Sequence, residues 1–326
     1  MDLMIEASGL VKTYGEVVAL DGLDLEVERG TVLGLLGPNG AGKTTAVSIL
    51  TTLTTPNAGS ARVAGIDVIA DPQSTRKKIG LSGQFVAVDE HLTGFENLDM
   101  IGRLYKLGKV GARARAHELL ERFDLTDAGD RPVKTYSGGM RRRLDLAGSL
   151  VSDVPVLFLD EPTAGLDPRS RTDLWAVIRD LVAGGTTLLL TTQYLEEADQ
   201  LADEIVVIDH GKAIASGNPH ELKDLVGGDR IELTVASIED VPRAKSLMAQ
   251  VADEEIQQRG RQRELAVPVA RGTADLTEAL RILREAAIDI EEIGLRRPTL
   301  DDVFLTLTGH VAEPSEPGKE TEEVPA

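Results

Sequence analysis

The feature that most constrains this chain is a glycine-rich segment that fits the pattern G-x-x-x-x-G-K-[ST] at every fixed position: Gly37, Pro38, Asn39, Gly40, Ala41, Gly42, Lys43 and Thr44. An apolar run at 31–36 precedes it and predicts a buried strand, and residues 45–50 predict a helix. A strand before the glycines and a helix after them are the context that a phosphate-binding loop requires. The alternative is a glycine-rich turn with a chance lysine.

The chemistry of this segment suits a nucleotide phosphate. Glycines let the backbone turn its N–H groups toward an anion, and the helix N-terminus adds a positive field and free donors. Lys43 is predicted to reach the β- and γ-phosphates, and Thr44 to bind Mg²⁺. Thr45, in the first turn of the helix, completes the predicted phosphate-binding set.

A second pair of motifs narrows the class of nucleotide-binding protein. The chain continues with Tyr136-Ser137-Gly138-Gly139-Met140 and then with Val156-Leu157-Phe158-Leu159-Asp160-Glu161-Pro162. In this order after the phosphate loop, the motifs resemble those of the ABC (ATP-binding cassette) ATPases, whose signature reads Leu-Ser-Gly-Gly-Gln and whose Walker B strand ends in Asp-Glu. The resemblance covers residues 3–225. It implies an α/β fold, a P-loop NTPase cassette with a RecA-like core and a helical subdomain at about 85–150, with ATP and Mg²⁺ as cofactors.

The acidic pair Asp160-Glu161, after the apolar run at 156–159, is the predicted catalytic centre. The apolar run at 156–159 predicts a strand buried on both faces, and a doubly wound sheet binds ligands at the carboxyl ends of its strands. Asp160 is expected to hold the hydration shell of Mg²⁺, and Glu161 to orient and activate the attacking water. The alternative is that the two acids only supply negative charge at a helix N-terminus.

The signature motif predicts a helix start. Ser137 is typical of an N-cap, and Gly138 and Gly139 leave the helix mouth open to an anion. The resemblance implies that this mouth meets a γ-phosphate held by a second copy of the subunit, so that a complete site needs two chains. The arginines at 141–143 are interpreted as a solvated helix face.

Three further residues are predicted to belong to the site because of their place in the series of motifs. The resemblance implies that Tyr14 stacks on adenine, and that Gln84 links the γ-phosphate and Mg²⁺ to the helical subdomain. Packing within a strand is the alternative for Tyr14. Gln193 occupies the switch position, where ABC ATPases usually carry histidine. An amide can donate a hydrogen bond to a γ-phosphate but cannot carry a proton near neutral pH, so an acid–base role there is excluded.

Composition limits the partners. The net charge of −19 disfavours nucleic acid and anionic lipid surfaces. The chain has no cysteine, which fits a reducing compartment and excludes disulfides and cysteine metal sites. No run approaches the ~18–20 apolar residues of a membrane span, and the N-terminus lacks signal-peptide features.

Residues beyond 226 have a different pattern. We predict an ATPase domain at 1–226, an accessory α+β domain at 227–310 and a disordered acidic tail at 311–326. The accessory region predicts the order βαββαβ, a split-βαβ plait, in which Pro268 favours an edge position for its strand. An amphipathic helix at 300–308 follows.

The cassette, Gln193 and the run Leu300-Asp301-Asp302-Val303-Phe304-Leu305 together resemble the daunorubicin-resistance type of ABC transporter ATPase. This resemblance implies a peripheral subunit on the cytoplasmic face of the cell membrane, which energises a separate multi-span permease for export of a drug or a lipid-like substrate. The alternatives are a soluble ABC protein acting on ribosomes or DNA, and the ATPase of an importer.

Overall fold

The computed structural model describes residues 2–83, 88–224, 228–259 and 263–308, with only the backbone described at 259 and 305–308. Contacts divide the chain between Pro219 and His220 into two compact units. The predicted domain boundary at 226/227 and the predicted tail at 311–326 lie outside the described residues.

Two sheets form the frame of the first unit. Its strands are β1 (Leu3–Tyr14), β2 (Val17–Glu28), β3 (Val32–Leu36), β4 (Ala58–Val63), β5 (Ile66–Asp67), β6 (Ile79–Ser82), β7 (Val156–Asp160), β8 (Thr187–Thr192), β9 (Glu204–Asp209) and β10 (Lys212–Gly217). One sheet has the antiparallel order β2-β1-β4-β5, and the other has the order β10-β9-β3-β8-β7-β6. In the second sheet every neighbouring pair is parallel except β9 and β10.

Helices cover this frame. They are α1 (Lys43–Leu50), α2 (Pro72–Arg76), α3 (Gly94–Leu104), α4 (Gly108–Arg122), α5 (Gly138–Ser149), α6 (Pro168–Ala183), α7 (Leu195–Leu201) and α8 (Pro219–Asp224), the last of which spans the division between the units. Side-chain caps mark four starts: Thr93 forms a capping box with Glu96, Ser137 caps α5, and Asp71 and Asp167 cap α2 and α6, each just before a proline. Such caps satisfy backbone donors that the first turn leaves unpaired.

The central sheet is buried on both faces. Every residue of β3, β7 and β8 is buried. Successive residues of β7 alternate between two cores, since Phe158 packs with β1, β2 and α1 while Leu157 and Leu159 pack with the helices α3–α6. This double cover fixes the carboxyl ends of β3, β7 and β8 side by side, where the predicted site residues follow.

The second unit is a split-βαβ plait. Its elements are β11 (Arg230–Val235), α9 (Val241–Met248), β12 (Gln257–Arg259), β13 (Glu264–Pro268), α10 (Thr273–Glu285), β14 (Ile290–Arg296) and α11 (Leu300–Thr308). The four strands form an antiparallel sheet in the order β12-β13-β11-β14. Alternate residues of β11 (Ile231, Leu233 and Val235) pack in one core with residues of α9 and α10.

The prediction that Pro268 marks an edge strand is wrong. Strand β13 lies between β12 and β11. The carbonyl of Pro268 faces the β12 side, where it accepts a hydrogen bond from the N–H of Asp253 at 3.0 Å. The missing N–H of Pro268 faces the same side. Strand β12 begins at Gln257, opposite Ala266, and does not extend alongside Pro268, so no ladder hydrogen bond is lost.

Candidate active site

The phosphate loop connects β3 to α1, and backbone packing explains two of its glycines. A Cβ at Gly37 would lie 2.3 Å from the carbonyl oxygen of Ile208, and one at Gly42 would lie 2.4 Å from that of Ala19. Gly42 also has a φ of 109°, in the region that favours glycine. Asn39 and Gly40 are exposed at the tip of the loop. The loop is therefore packed against β9 of one sheet at its first glycine and against β2 of the other sheet at Gly42, and it is open to a ligand between them.

Lys43 is a buried cation at the first position of α1. Its side chain is 4% exposed, and its ammonium donates hydrogen bonds to the carbonyl oxygens of Gly37 at 2.7 Å and Pro38 at 3.0 Å. The carboxylate of Glu161 lies 3.8 Å from the ammonium. Burial lowers the pKa of Lys43, and the nearby charges of Glu161 and Asp160 oppose that shift. The loop thus holds a positive charge directly beside the carboxylate of the predicted catalytic base, Glu161.

Thr44 and Asp160 come together although they are far apart in sequence. The hydroxyl of Thr44 donates to a carboxylate oxygen of Asp160 at 3.3 Å, and the hydroxyl of Thr191 donates to the same oxygen at 2.5 Å. A hydroxyl and a carboxylate are hard oxygen ligands of the kind Mg²⁺ takes, with phosphate and water oxygens completing its shell. The described residues contain no group of three or more His, Cys, Asp or Glu that could hold a metal alone. This pair fits a metal that arrives with a nucleotide.

Glu161 has a constrained backbone. Its φ is 51°, which is uncommon for a residue with a side chain. Its N–H donates to both the carbonyl and the hydroxyl oxygen of Thr191, each at 3.1 Å. A sparsely populated conformation persists only where the surroundings hold it, and such positions cluster at active sites.

The signature segment lies at the start of α5 and faces outward. Ser137 caps the helix by accepting a hydrogen bond from the N–H of Met140 at 3.3 Å, and Ser137 and Gly138 are exposed. Gly139 is buried, and a Cβ there would lie 2.6 Å from the hydroxyl of Ser170. No hydrogen bond or ion pair joins 137–139 to the phosphate loop in the part of the chain that the structure describes.

The interpretation of all three arginines as a solvated face is wrong for the middle one. Arg142 is 6% exposed, and its guanidinium donates to backbone carbonyls at the end of β7 and at Gly83. Its neighbours behave differently: Arg141 pairs with Glu90, and Arg143 donates to the carbonyl of Phe123. Sequence reasoning missed this residue, because a run of like charges usually indicates a solvent-exposed face of a helix.

Tyr14 and Gln193, two further predicted residues, lie at the ends of strands. Tyr14 ends β1 with its ring half exposed, and the ammonium of Lys12 lies 5.1 Å from the ring centre. Gln193 follows β8 directly and is partly buried. Gln84 lies outside the described residues, two positions after the end of β6.

Glu197 is a second residue that sequence reasoning missed. It is fully buried on α7, where its carboxylate accepts a hydrogen bond from the indole N–H of Trp175 at 3.1 Å. Burial raises the pKa of Glu197, and hydrogen bonds and the charge of Arg171 oppose the shift. Its place in an amphipathic turn near Leu195, Ala198 and Leu201 was the only available signal.

Comparison with known proteins shows which family the chain belongs to. The ABC transporter family matches residues 20–164, and the family of the ATP-binding protein DrrA1-3-like, C-terminal domain, matches residues 217–308. Daunorubicin-resistance ATP-binding proteins are 48–59% identical to this chain over nearly its whole length. The chain is an ABC ATPase of the daunorubicin-resistance type. The predicted family, fold class and ATPase activity are confirmed.

Relatives of this ABC ATPase match it along nearly all of its length. The daunorubicin resistance ATP-binding protein DrrA2 of Streptomyces coeruleorubidus is 59% identical over 96% of this chain and 97% of its own. The daunorubicin/doxorubicin resistance ATP-binding protein DrrA of Streptomyces peucetius is 48% identical over 95% and 93%. The Nod factor export ATP-binding protein I of Ralstonia nicotianae is 42% identical over 94% of each.

Solved structures match the cassette portion of the ABC ATPase. CbiO1 from Clostridium perfringens, part of the ABC transporter complex cbiONQ, has a TM-score of 0.64 and 26% identity over 69% of this chain and 94% of its own. A structure described as the ATP-binding subunit of an ABC transporter has a TM-score of 0.61 and 26% identity over 68% and 92%. Within the described ranges of this ABC ATPase, no helix combines the length and apolar character needed to cross a bilayer.

Proposed function

We propose that this ABC ATPase is the energising subunit of an export system, and that it works with a separate multi-span permease on the cytoplasmic face of the cell membrane. The observation that carries this proposal is similarity along the whole chain, including the C-terminal region at 217–308, to proteins named for daunorubicin resistance and Nod factor export. Those names support a drug-like or lipid-like amphiphile as the exported substrate.

Two copies of the chain would form the catalytic unit. Each chain has one phosphate loop and one signature, and the signature residues Ser137 and Gly138 are exposed. A helix N-terminus with free donors binds an anion well, and an exposed one is available to a nucleotide held by a second chain. Each of two composite sites would then take its phosphate loop from one chain and its signature from the other.

Within a composite site, the roles follow from position. Lys43 and the loop N–H groups would bind the phosphates, and Thr44 and Asp160 would hold Mg²⁺, which neutralises charge on the nucleotide. Glu161 would orient and deprotonate the attacking water. Its carboxylate lies beside Lys43, whereas the carboxylate of Asp160 is bound by Thr44.

Other predicted residues would sense the nucleotide. Tyr14 presents a half-exposed ring at the end of β1, which suits stacking against adenine. Gln193 and Gln84 would contact the γ-phosphate through their amides, and Gln84 would also contact Mg²⁺.

The permease would contact the cassette at a groove between the sheet and the helices. This groove has a volume of about 380 Å³, and its lining includes Leu53, Ile79, Leu81, Ile101 and Tyr105. Leu53 is 68% exposed, so the groove presents apolar surface that a cytoplasmic segment of a membrane partner can cover. Leu53→Asp should weaken co-purification with the permease, whereas Val110→Asp, at an 83% exposed position that does not line the groove, should not.

Complementation between two inactive chains tests the two-chain site. A Lys43→Ala chain lacks a working phosphate loop, and a Ser137→Arg chain has a blocked signature. Each homodimer is defective at both sites, but a mixed dimer has one intact site. ATPase activity should therefore recover in part on mixing. Full activity of a dilute, monomeric Ser137→Arg chain would contradict the arrangement.

Transport assays test the export role. We expect the adjacent reading frame to encode a multi-span membrane protein. Cells that express both proteins should accumulate less daunorubicin than cells that express the permease with the Lys43→Ala chain. Nucleotide-dependent uptake from outside the cell by the same pair would instead indicate an importer.

A further inference from the structure

Arg142 connects three separate segments around the active site. From α5, its Nε donates to the carbonyl of Pro162 at 2.8 Å, and its Nη2 to those of Asp160 at 3.2 Å and Glu161 at 3.0 Å. Its Nη1 donates to the carbonyl of Gly83 at 2.6 Å. One side chain on the helix that begins at the signature therefore binds the backbone on both sides of the predicted catalytic base.

These bonds complete the fixation of Glu161. Its N–H is held by Thr191 from β8, and its carbonyl is held by Arg142 from α5. The backbone is in the left-handed region, so it needs external contacts to keep this conformation. The planar fork of a guanidinium can serve several carbonyls at once, which a lysine ammonium on a flexible stem does less well.

Acidic residues surround the buried guanidinium of Arg142. The carboxylate of Asp145, one turn along α5, lies 3.9 Å from its guanidinium and accepts a hydrogen bond from the hydroxyl of Ser82 at 2.5 Å. Burial lowers the pKa of Arg142, while Asp145, Glu197 and the acids at 160 and 161 oppose that shift. A buried cation is tolerated where carbonyls and acids surround it in this way.

We propose that Arg142 is a positioning residue for hydrolysis: it anchors the backbone of Glu161 to the signature helix α5 and so holds Glu161 in its working position. Arg142 binds backbone carbonyls and acts on the Glu161 of its own chain. The mixed-dimer test of this proposal rests on the two-chain function proposed above.

Steady-state kinetics give the first test, with Arg143→Met on the same helix as the matched control. Arg142→Met should lower kcat at least tenfold, while KM for ATP and nucleotide binding to the isolated chain change less than twofold. Arg142→Lys should recover part of kcat, because an ammonium can reach some of the carbonyls. A change confined to KM would overturn the proposal. If no Arg142 variant folds with intact nucleotide binding, the residue is a structural part of the core and the proposal is equally wrong.

The mixed dimer with one live site tests which chain Arg142 serves. In that dimer, the Ser137→Arg chain supplies the phosphate loop and Glu161, and the Lys43→Ala chain supplies the signature. Adding Arg142→Met to the Ser137→Arg chain should remove the recovered activity. Adding it to the Lys43→Ala chain should leave most of it.

The outcomes separate this proposal from the two-chain function. An equal or larger loss when Arg142→Met is on the signature-supplying chain would overturn the action on Glu161 of the same chain. Absence of any recovery in the parent mixture would count against the two-chain site itself, and the homodimer kinetics would still decide the role of Arg142.

Discussion

The hydroxyl of Thr191 lies 2.5 Å from a carboxylate oxygen of Asp160, and this contact joins the ends of neighbouring strands β8 and β7. The same hydroxyl accepts a hydrogen bond from the N–H of Glu161. One side chain of β8 therefore orients the predicted metal ligand and the backbone of the predicted base together.

Thr191→Val should weaken magnesium binding by more than its loss of folding stability explains. The Mg²⁺ concentration for half-maximal ATPase activity should rise about tenfold, because loss of an outer-shell partner leaves the ligand poorly oriented. Thr187→Val is the matched control: it removes a buried hydroxyl at the opposite end of β8, which accepts a hydrogen bond from Gly30. Both variants should lose about 1–3 kcal/mol of stability. An equal magnesium effect in both would show that only the stability of the sheet matters.

Glu161→Gln should slow hydrolysis without preventing ATP binding. An amide keeps the shape of the side chain but cannot accept the proton, so kcat should fall by about 10²–10⁴-fold. ATP should then hold two chains together, which size-exclusion chromatography with ATP and Mg²⁺ can detect. Asp173→Asn, on an exposed position of α6, is a charge-matched control. Turnover at the rate of the unchanged chain would remove Glu161 as the base.

Glu197→Gln should alter the pH dependence of stability. Burial raises the pKa of Glu197 in the folded chain, so the folded state holds this proton more tightly than the unfolded state does. The resulting stability is present below about pH 4.3, the ordinary pKa of glutamate, and is lost as the pH rises through the folded-state pKa.

The difference in melting temperature between the original chain and the variant measures this contribution. Relative to Glu197→Gln, the original chain should lose stability from about pH 4.3 upward. A constant difference across this pH range would mean that the carboxyl of Glu197 has the same pKa in the folded and unfolded chain.

Phe304→Ala should lower the melting temperature. Leu300, Val303 and Phe304 are buried, which favours packing within this chain over an exposed contact with a partner. Loss of a buried phenylalanine costs about 3–5 kcal/mol. Leu280→Ala, on the partly exposed face of α10, should cost much less. Unchanged melting together with weaker assembly would instead assign Phe304 to an interface.

The parts of the site that could be predicted are contiguous in sequence. The phosphate loop, the acidic pair after β7 and the N-cap of α5 each combine a short motif with a local structural context, and the structure has the strand, turn and helix in those places. The cassette fold followed because those motifs occur in a specific order. Periodicity likewise placed β11, α9 and α10 of the second unit, since each of these elements buries one face.

The parts that could not be predicted depend on contacts between distant segments. Nothing local distinguishes Arg142 from Arg141 or Arg143; only the path of β7 and of the chain at Gly83 makes it a buried residue. The same holds for the carboxylate of Glu197, whose partner Trp175 lies on another helix. The position of β13 within its sheet was mispredicted because Pro268 was weighed without knowing where β12 ends.

At position 161 the residue that best fits the left-handed backbone differs from the residue that the proposed chemistry needs. Glycine would adopt a φ of 51° without strain, and the fold itself needs no carboxylate there. The chain nevertheless carries a long acidic side chain at this point and holds it with donors and acceptors from two neighbouring elements. Position 161 is thus a local trade-off between stability and activity, in which conformational ease is sacrificed so that a proton acceptor stands beside the phosphate loop.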